Sequence, residues 1–96
     1  MTRNCVIAGV GPGNGASFAR RFSAAGYRVA MLARNEEYLS ELSDEVSNSY
    51  AIRCDVQDPE MVCKAFQRVR DELGSVDVLV YNAGAGEWAS IEDTQI

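Results

Sequence analysis

The sequence predicts an α/β fold: part of a doubly wound parallel sheet of about four strands, with helices on both faces. Two observations carry this. Short apolar runs alternate with longer stretches of helical period, strand then helix three times and then a further strand. That alternation requires parallel strands joined by right-handed crossovers. The first strand also runs straight into a glycine-rich turn, Gly9-Val10-Gly11-Pro12-Gly13-Asn14-Gly15. The expected spatial order is 3-2-1-4.

The elements follow in chain order. Asn4 to Ala8 reads as the first strand. Gly15 to Ala25 reads as a helix whose inward face holds Ala16, Phe18, Ala19 and Phe22, and Gly26 sits where a helix end favours positive φ. Arg28 to Ala33 shows no polar alternation and so predicts a strand buried on both faces. Glu36 to Val46 is a helix with Leu39, Leu42 and Val46 on one side, broken by Ser47-Asn48-Ser49. Tyr50 to Cys54 reads as a third strand despite Arg53. Asp58-Pro59 opens a third helix, Asp as N-cap and Pro at the first helical position. Val62, Ala65, Phe66, Val69 and Leu73 follow at helical spacing, and Gly74 closes it. Val76 to Tyr81 reads as a fourth strand, whereas Asn82 to Ile96 shows no clear period. No repeat or linker divides the 96 residues, so 1–96 reads as a single domain, the first half of a doubly wound sheet.

Composition narrows the function classes. Apolar residues make up 47% and charged residues 24%, as in folded soluble proteins. The net charge of −5, with no basic stretch, argues against a nucleic-acid partner. No apolar run is long enough for a membrane span and the N-terminus has no signal-peptide pattern, so a cytoplasmic location is expected. Three cysteines without C-x-x-C spacing and no histidine argue against a disulfide framework or a metal site.

The glycine turn follows a strand and opens a helix, the context in which backbone amides and a helix N-terminus receive a pyrophosphate. A Walker-type loop would need G-K-[ST], but Ala16-Ser17 follow Gly15, which sets ATP and GTP aside. Dinucleotide sites for NAD commonly carry Asp or Glu at the end of the second strand to bond the ribose 2′-hydroxyl. Here that strand ends Ala33-Arg34-Asn35. A guanidinium there can hold a 2′-phosphate, so NADP(H) is expected over NAD(H). The missing acid also weighs against S-adenosylmethionine. Asp55, at the end of the third strand, either bonds the adenine amino group or caps the turn before Asp58.

These segments together resemble the short-chain dehydrogenase/reductase family and its Rossmann-like fold. Gly9-x-x-x-Gly13-x-Gly15 matches the family's glycine motif, and Leu32-Ala33-Arg34-Asn35 its NADP-preferring strand end. Cys54-Asp55-Val56 matches its adenine-pocket segment and Asn82-Ala83-Gly84 its Asn-Ala-Gly motif. Ala8 and Tyr81 depart from the Thr and Asn often found there. The resemblance implies a pyrophosphate turn from Gly9, Gly11, Gly13 and Gly15 with Asn14 beside it. It implies a 2′-phosphate contact from Arg34 and Asn35, adenine flanked by Asp55 and Val56, and Asn82, Ala83 and Gly84 along the nicotinamide ribose.

The family's catalytic Ser and Tyr-x-x-x-Lys lie beyond the Asn-Ala-Gly motif. Here Tyr27, Tyr38, Tyr50 and Tyr81 are followed four residues on by Met31, Leu42, Cys54 and Ala85. The single lysine, Lys64, falls in a helix, and Ser90 has no base partner in sequence. The chain is therefore expected to bind the cofactor as the N-terminal portion of an oxidoreductase without itself performing hydride transfer. The competing reading is a stand-alone, non-catalytic nucleotide-binding or assembly module. The fourth strand is expected to be a bare apolar edge. Homo-oligomers would form through it or through exchange of the tail, where Trp88 and Ile91 could cover apolar surface.

Overall fold

The computed structural model describes residues 3–10, 14–81 and 90–93. The strands are β1 (Asn4–Ala8), β2 (Arg28–Ala33), β3 (Ser49–Arg53), β4 (Val78–Tyr81) and β5 (Ser90–Asp93). The helices are α1 (Asn14–Ala24), α2 (Glu36–Glu45) and α3 (Pro59–Glu72). The sheet order is β3-β2-β1-β4-β5. The first four strands are parallel, with Cys5 opposite both Val29 and Val78, and Ala33 opposite Arg53.

The parallel order 3-2-1-4 is as expected, but the bare edge is not. β5 pairs antiparallel with β4, Val80 opposite Ile91 and Tyr81 opposite Ser90, so β4 is an interior strand. Four residues with no apolar alternation carry little intrinsic strand signal, and their extended conformation comes from pairing with β4. β4 also begins at Val78 rather than Val76, because the Asp77 N–H and carboxylate are both engaged by the backbone of Asn4.

The sheet separates two apolar layers. Cys5, Ile7, Val29, Met31 and Val80 meet Ala16 and Ala19 of α1 and Leu39 and Leu42 of α2. Val6, Ala8, Ala30, Leu32 and Ile52 meet Ala65 and Val69 of α3, together with Leu73. Central strands buried on both faces explain why β1 and β2 are apolar without alternation. Ile7, Met31, Leu32 and Leu39 have no exposed surface, and each contributes about 1.5–3 kcal/mol through burial. Phe18 and Phe22 pack only partly buried against the first layer, with the Phe22 and Tyr27 rings edge to face at 5.1 Å.

Caps define the helix ends. Asp58 Oδ1 accepts from the N–H groups of Glu60 and Met61 at 3.0 and 3.4 Å, with Pro59 opening α3. The break after α2 runs through Asn48, whose φ of 53° is in the left-handed region that Asn tolerates. Gly26 adopts φ +96° beyond α1.

At the N-terminal end of the sheet, Asn4 is buried and joins three segments. Its Nδ2 donates to the carbonyls of Leu73 and Ser75 at 3.1 and 2.8 Å, and its Oδ1 accepts from Arg28 Nε at 3.0 Å. Its N–H donates to Asp77 Oδ2 at 2.8 Å, and Arg28 Nη2 donates to the Leu73 carbonyl at 2.7 Å.

Candidate functional site

Parallel strands bring the ends of β1, β2 and β3 to one rim of the sheet, where the loops entering α1, α2 and α3 lie. In open α/β sheets this rim is where ligands bind. The first loop is fixed to its neighbour: the N–H groups of Gly9 and Val10 both donate to the Leu32 carbonyl at 2.8 Å. Gly9 has φ +92°, which a side chain would strain, and it lets the chain turn off β1. Its amide is spent on β2, so Gly9 shapes the turn and does not donate to a ligand.

Gly15 has a different role. A Cβ there would stand 2.9 Å from Val10 Cα and 3.3 Å from the Gly9 carbonyl oxygen. The start of α1 thus presses on the end of β1 through backbone alone, with Gly15 buried. Asn14, the first residue of α1, is exposed. The opening N–H groups of a helix lack intrahelical acceptors. The first turn of α1 contains no acidic residue, whereas Glu36 and Glu37 begin α2 and Glu60 begins α3. The positive end of α1 is therefore not neutralised from within its own first turn, which fits it to an anion. Gly11 and Gly13 lie outside the described residues.

Arg34 and Asn35 follow β2 directly and are exposed. Arg34 forms no salt bridge among the described residues. Asn35 caps α2, its Oδ1 accepting from the Tyr38 N–H at 3.0 Å, which leaves its Nδ2 to donate elsewhere. The sequence reading gave Asn35 a ligand contact and missed this cap, although Asn directly before a helix is a recognised start signal. Asp55 is half-buried at the end of β3. Its Oδ1 accepts from the Gln57 N–H at 3.0 Å, and its carbonyl accepts from the Asp58 N–H at 2.9 Å. The turn-capping alternative for Asp55 is therefore realised, and Oδ2 makes no hydrogen bond among the described residues. Val56 packs half-buried against the α3 layer.

Comparison with known proteins agrees with this arrangement. The short chain dehydrogenase family profile matches residues 3–96. The chain belongs to the short-chain dehydrogenase family. It is 38% identical over 92 residues to an uncharacterized oxidoreductase of Mycobacterium tuberculosis, covering 90% of this chain and 36% of that protein. It is 38% identical over 89 residues to the 2-(R)-hydroxypropyl-CoM dehydrogenase of Xanthobacter autotrophicus, covering 88% of this chain and 36% of that one. Among solved structures it is similar to an actinorhodin polyketide ketoreductase with NADPH. There the TM-score is 0.82 at 32% identity, covering 88% of this chain and 34% of the reductase. The chain thus spans about a third of the length of these relatives.

Membership in the short-chain dehydrogenases implies a nicotinamide dinucleotide on the rim just described. The cradle fits one: the turn depends on two positions where a Cβ would strain or clash, and a helix whose first turn carries no acid follows. Asn82, Ala83 and Gly84 follow β4 in sequence and lie outside the described residues. The thiols offer no nucleophile there. Burial pushes Cys5 up to about 12, and burial followed by the charges of Asp55 and Asp58 raises Cys54. Cys63 is exposed on α3. Among the described residues no group of His, Cys, Asp and Glu could hold a metal ion, and no helix is long and apolar enough to cross a membrane.

Proposed function

We propose that this chain is the NADP(H)-binding portion of a short-chain oxidoreductase acting on carbonyl or hydroxyl groups. The observation that carries the choice of NADP(H) is Arg34: exposed, just past the end of β2, with no carboxylate at Ala33 or Asn35. A 2′-phosphate would gain a charge-assisted bond there, whereas a 2′-hydroxyl would gain only a neutral contact. In this reading Gly9, Gly11, Gly13 and Gly15 form the pyrophosphate turn and Asn14 opens the helix that faces it. Arg34 and the Nδ2 of Asn35 hold the 2′-phosphate. Asp55 Oδ2 and Val56 flank adenine, and Asn82, Ala83 and Gly84 line the nicotinamide ribose. The bound cofactor would supply hydride-transfer chemistry; the residues of this chain bind and orient it. No residue of this chain is assigned the proton transfer.

Calorimetry with NADPH, NADH and adenosine 2′,5′-bisphosphate tests the reading. NADPH and the bisphosphate should bind, and Arg34→Ala should weaken both by about 10- to 150-fold, the worth of one charge-assisted bond. Equal affinity for NADPH and NADH would remove the role of Arg34. Absence of heat with all three would remove cofactor binding itself.

A second reading is a non-catalytic nucleotide-binding or assembly module. The intact mass of the protein from its native source separates the two, since a mass matching these 96 residues supports the module. A cytoplasmic location and a homo-oligomer belong to the same proposal. With β5 paired to β4 within one chain, copies would associate by exchanging the segment that contains β5. A monomer at micromolar concentration in sedimentation would end that part.

A further inference from the structure

We propose that the free edge of β3, with the groove between it and α3, docks an extended acidic polypeptide segment as an added strand. The sheet order leaves β3 with one neighbour, β2. The Asn48 carbonyl accepts from the Val29 N–H and the Cys54 N–H donates to the Ala33 carbonyl, so even-numbered positions face β2. By alternation along a parallel strand, Ser49, Ala51 and Arg53 direct their N–H and carbonyl groups outward. That is one strand's worth of unpaired main-chain donors and acceptors.

Beside this edge runs a groove. It is lined by Ile52, Met61 and Ala65 together with Arg53, Lys64 and Arg68. Ile52 and Ala65 are buried, and Tyr50, two residues back on the Ile52 face of the strand, is 37% exposed. An added strand would therefore meet main chain on one side and an apolar strip beneath, the arrangement of strand-addition recognition.

Charge selects the occupant. Three of the nine cations of a chain with net charge −5 line this one groove. Arg68 is held by Glu72 at 2.9 Å, while Arg53 and Lys64 form no salt bridge among the described residues. A second copy pairing through its own β3 would bring like-charged grooves together, which opposes that pairing. An extended segment with acidic residues on both of its faces would instead meet Lys64 on the α3 side and Arg53, which shares the Ala51 face of β3, on the other. The same side chains that blunt the edge against self-association thus leave it selective for an acidic partner.

The test uses the full chain and a fluorescent peptide of Val-Glu-Glu repeats, which carries Glu on both faces of an extended strand, followed by anisotropy and amide exchange. The peptide should bind, slow exchange of the Ser49, Ala51 and Arg53 amides, and lose affinity as salt rises. The double variant Arg53→Glu/Lys64→Glu, both sites being exposed, should bind about tenfold more weakly. So should a Val–Lys peptide to the unaltered chain. N-methylation of alternate peptide amides should abolish binding. No binding at about 1 mM peptide, the weak limit of useful affinity, would overturn the proposal. Binding indifferent to N-methylation or to the double variant would overturn it equally. So would concentration-dependent dimers that protect the same three amides without peptide, which would make a second copy the occupant.

Discussion

The two ends of the parallel sheet treat their polar groups in opposite ways. At the N-terminal end, Asn4 uses both its side-chain donors and its acceptor on Leu73, Ser75 and Arg28, and its N–H on Asp77. At the C-terminal end, Arg34 is without an ion pair among the described residues, Asn35 keeps a free donor and the first turn of α1 carries no acid. One end spends its hydrogen bonds on holding strands together; the other leaves polar groups unspent, where the proposed cofactor would bind. Stability and binding should therefore be separable by position.

The sharpest break of this division is Asn4→Ala. It removes the donor to Ser75 and the acceptor for Arg28, groups worth about 1–3 kcal/mol each when left unsatisfied. We expect a loss of about 2–4 kcal/mol in urea unfolding, with the NADPH affinity of the folded protein unchanged. Arg34→Ala should do the reverse: the affinity loss given above, with stability within about 0.5 kcal/mol of the parent. If both variants lose stability and affinity together, the two ends are not independent.

Gly15→Ala sits where the division should blur. Its Cβ would meet main-chain atoms that cannot rotate away, costing about 1–3 kcal/mol, against about 0.5–1 kcal/mol gained by replacing Gly in a helix. A net loss of about 1 kcal/mol should appear together with weaker NADPH binding, because Val10 and α1 must part. Asp58→Ala removes the cap of α3 and should cost about 1 kcal/mol by denaturant midpoint, with little effect on cofactor.

The smallest effect at neutral pH concerns the thiols. The folded Cys5 titrates near 12 against 9.0 in the unfolded chain, so the folded state keeps its proton longer. The stability this represents is complete below 9.0 and is lost as pH rises toward 12. Denaturant midpoints should be flat around neutrality and fall above that lower value. A maleimide at pH 8 should label exposed Cys63 first and reach Cys5 and Cys54 only on unfolding.

What was legible in the chain follows the same physics. β1, β2 and the three helices could be read because unbroken apolar runs and 3.6-residue periods are imposed by burial on a parallel sheet. The glycine turn could be read because φ +92° at Gly9 and the close approach at Gly15 both exclude a side chain. β5 could not, because an edge strand takes its conformation from β4. Nor could Asn4, whose partners lie 24 to 73 positions away and leave no local pattern. The cap made by Asn35 was hidden behind the phosphate contact proposed for it, because the same side-chain amide suits either.

β1 lies between β2 and β4, and its pairing with β4 joins Cys5 to Val78. During synthesis the first strand made can therefore acquire its second neighbour only after the rest of this unit has left the ribosome, roughly 4–15 s later at ordinary elongation rates. Until then one side of an apolar strand faces solvent or a chaperone. Of these five strands the central one is translated before the other four and is among the last to be enclosed, so nascent-chain aggregation and chaperone demand should track β1.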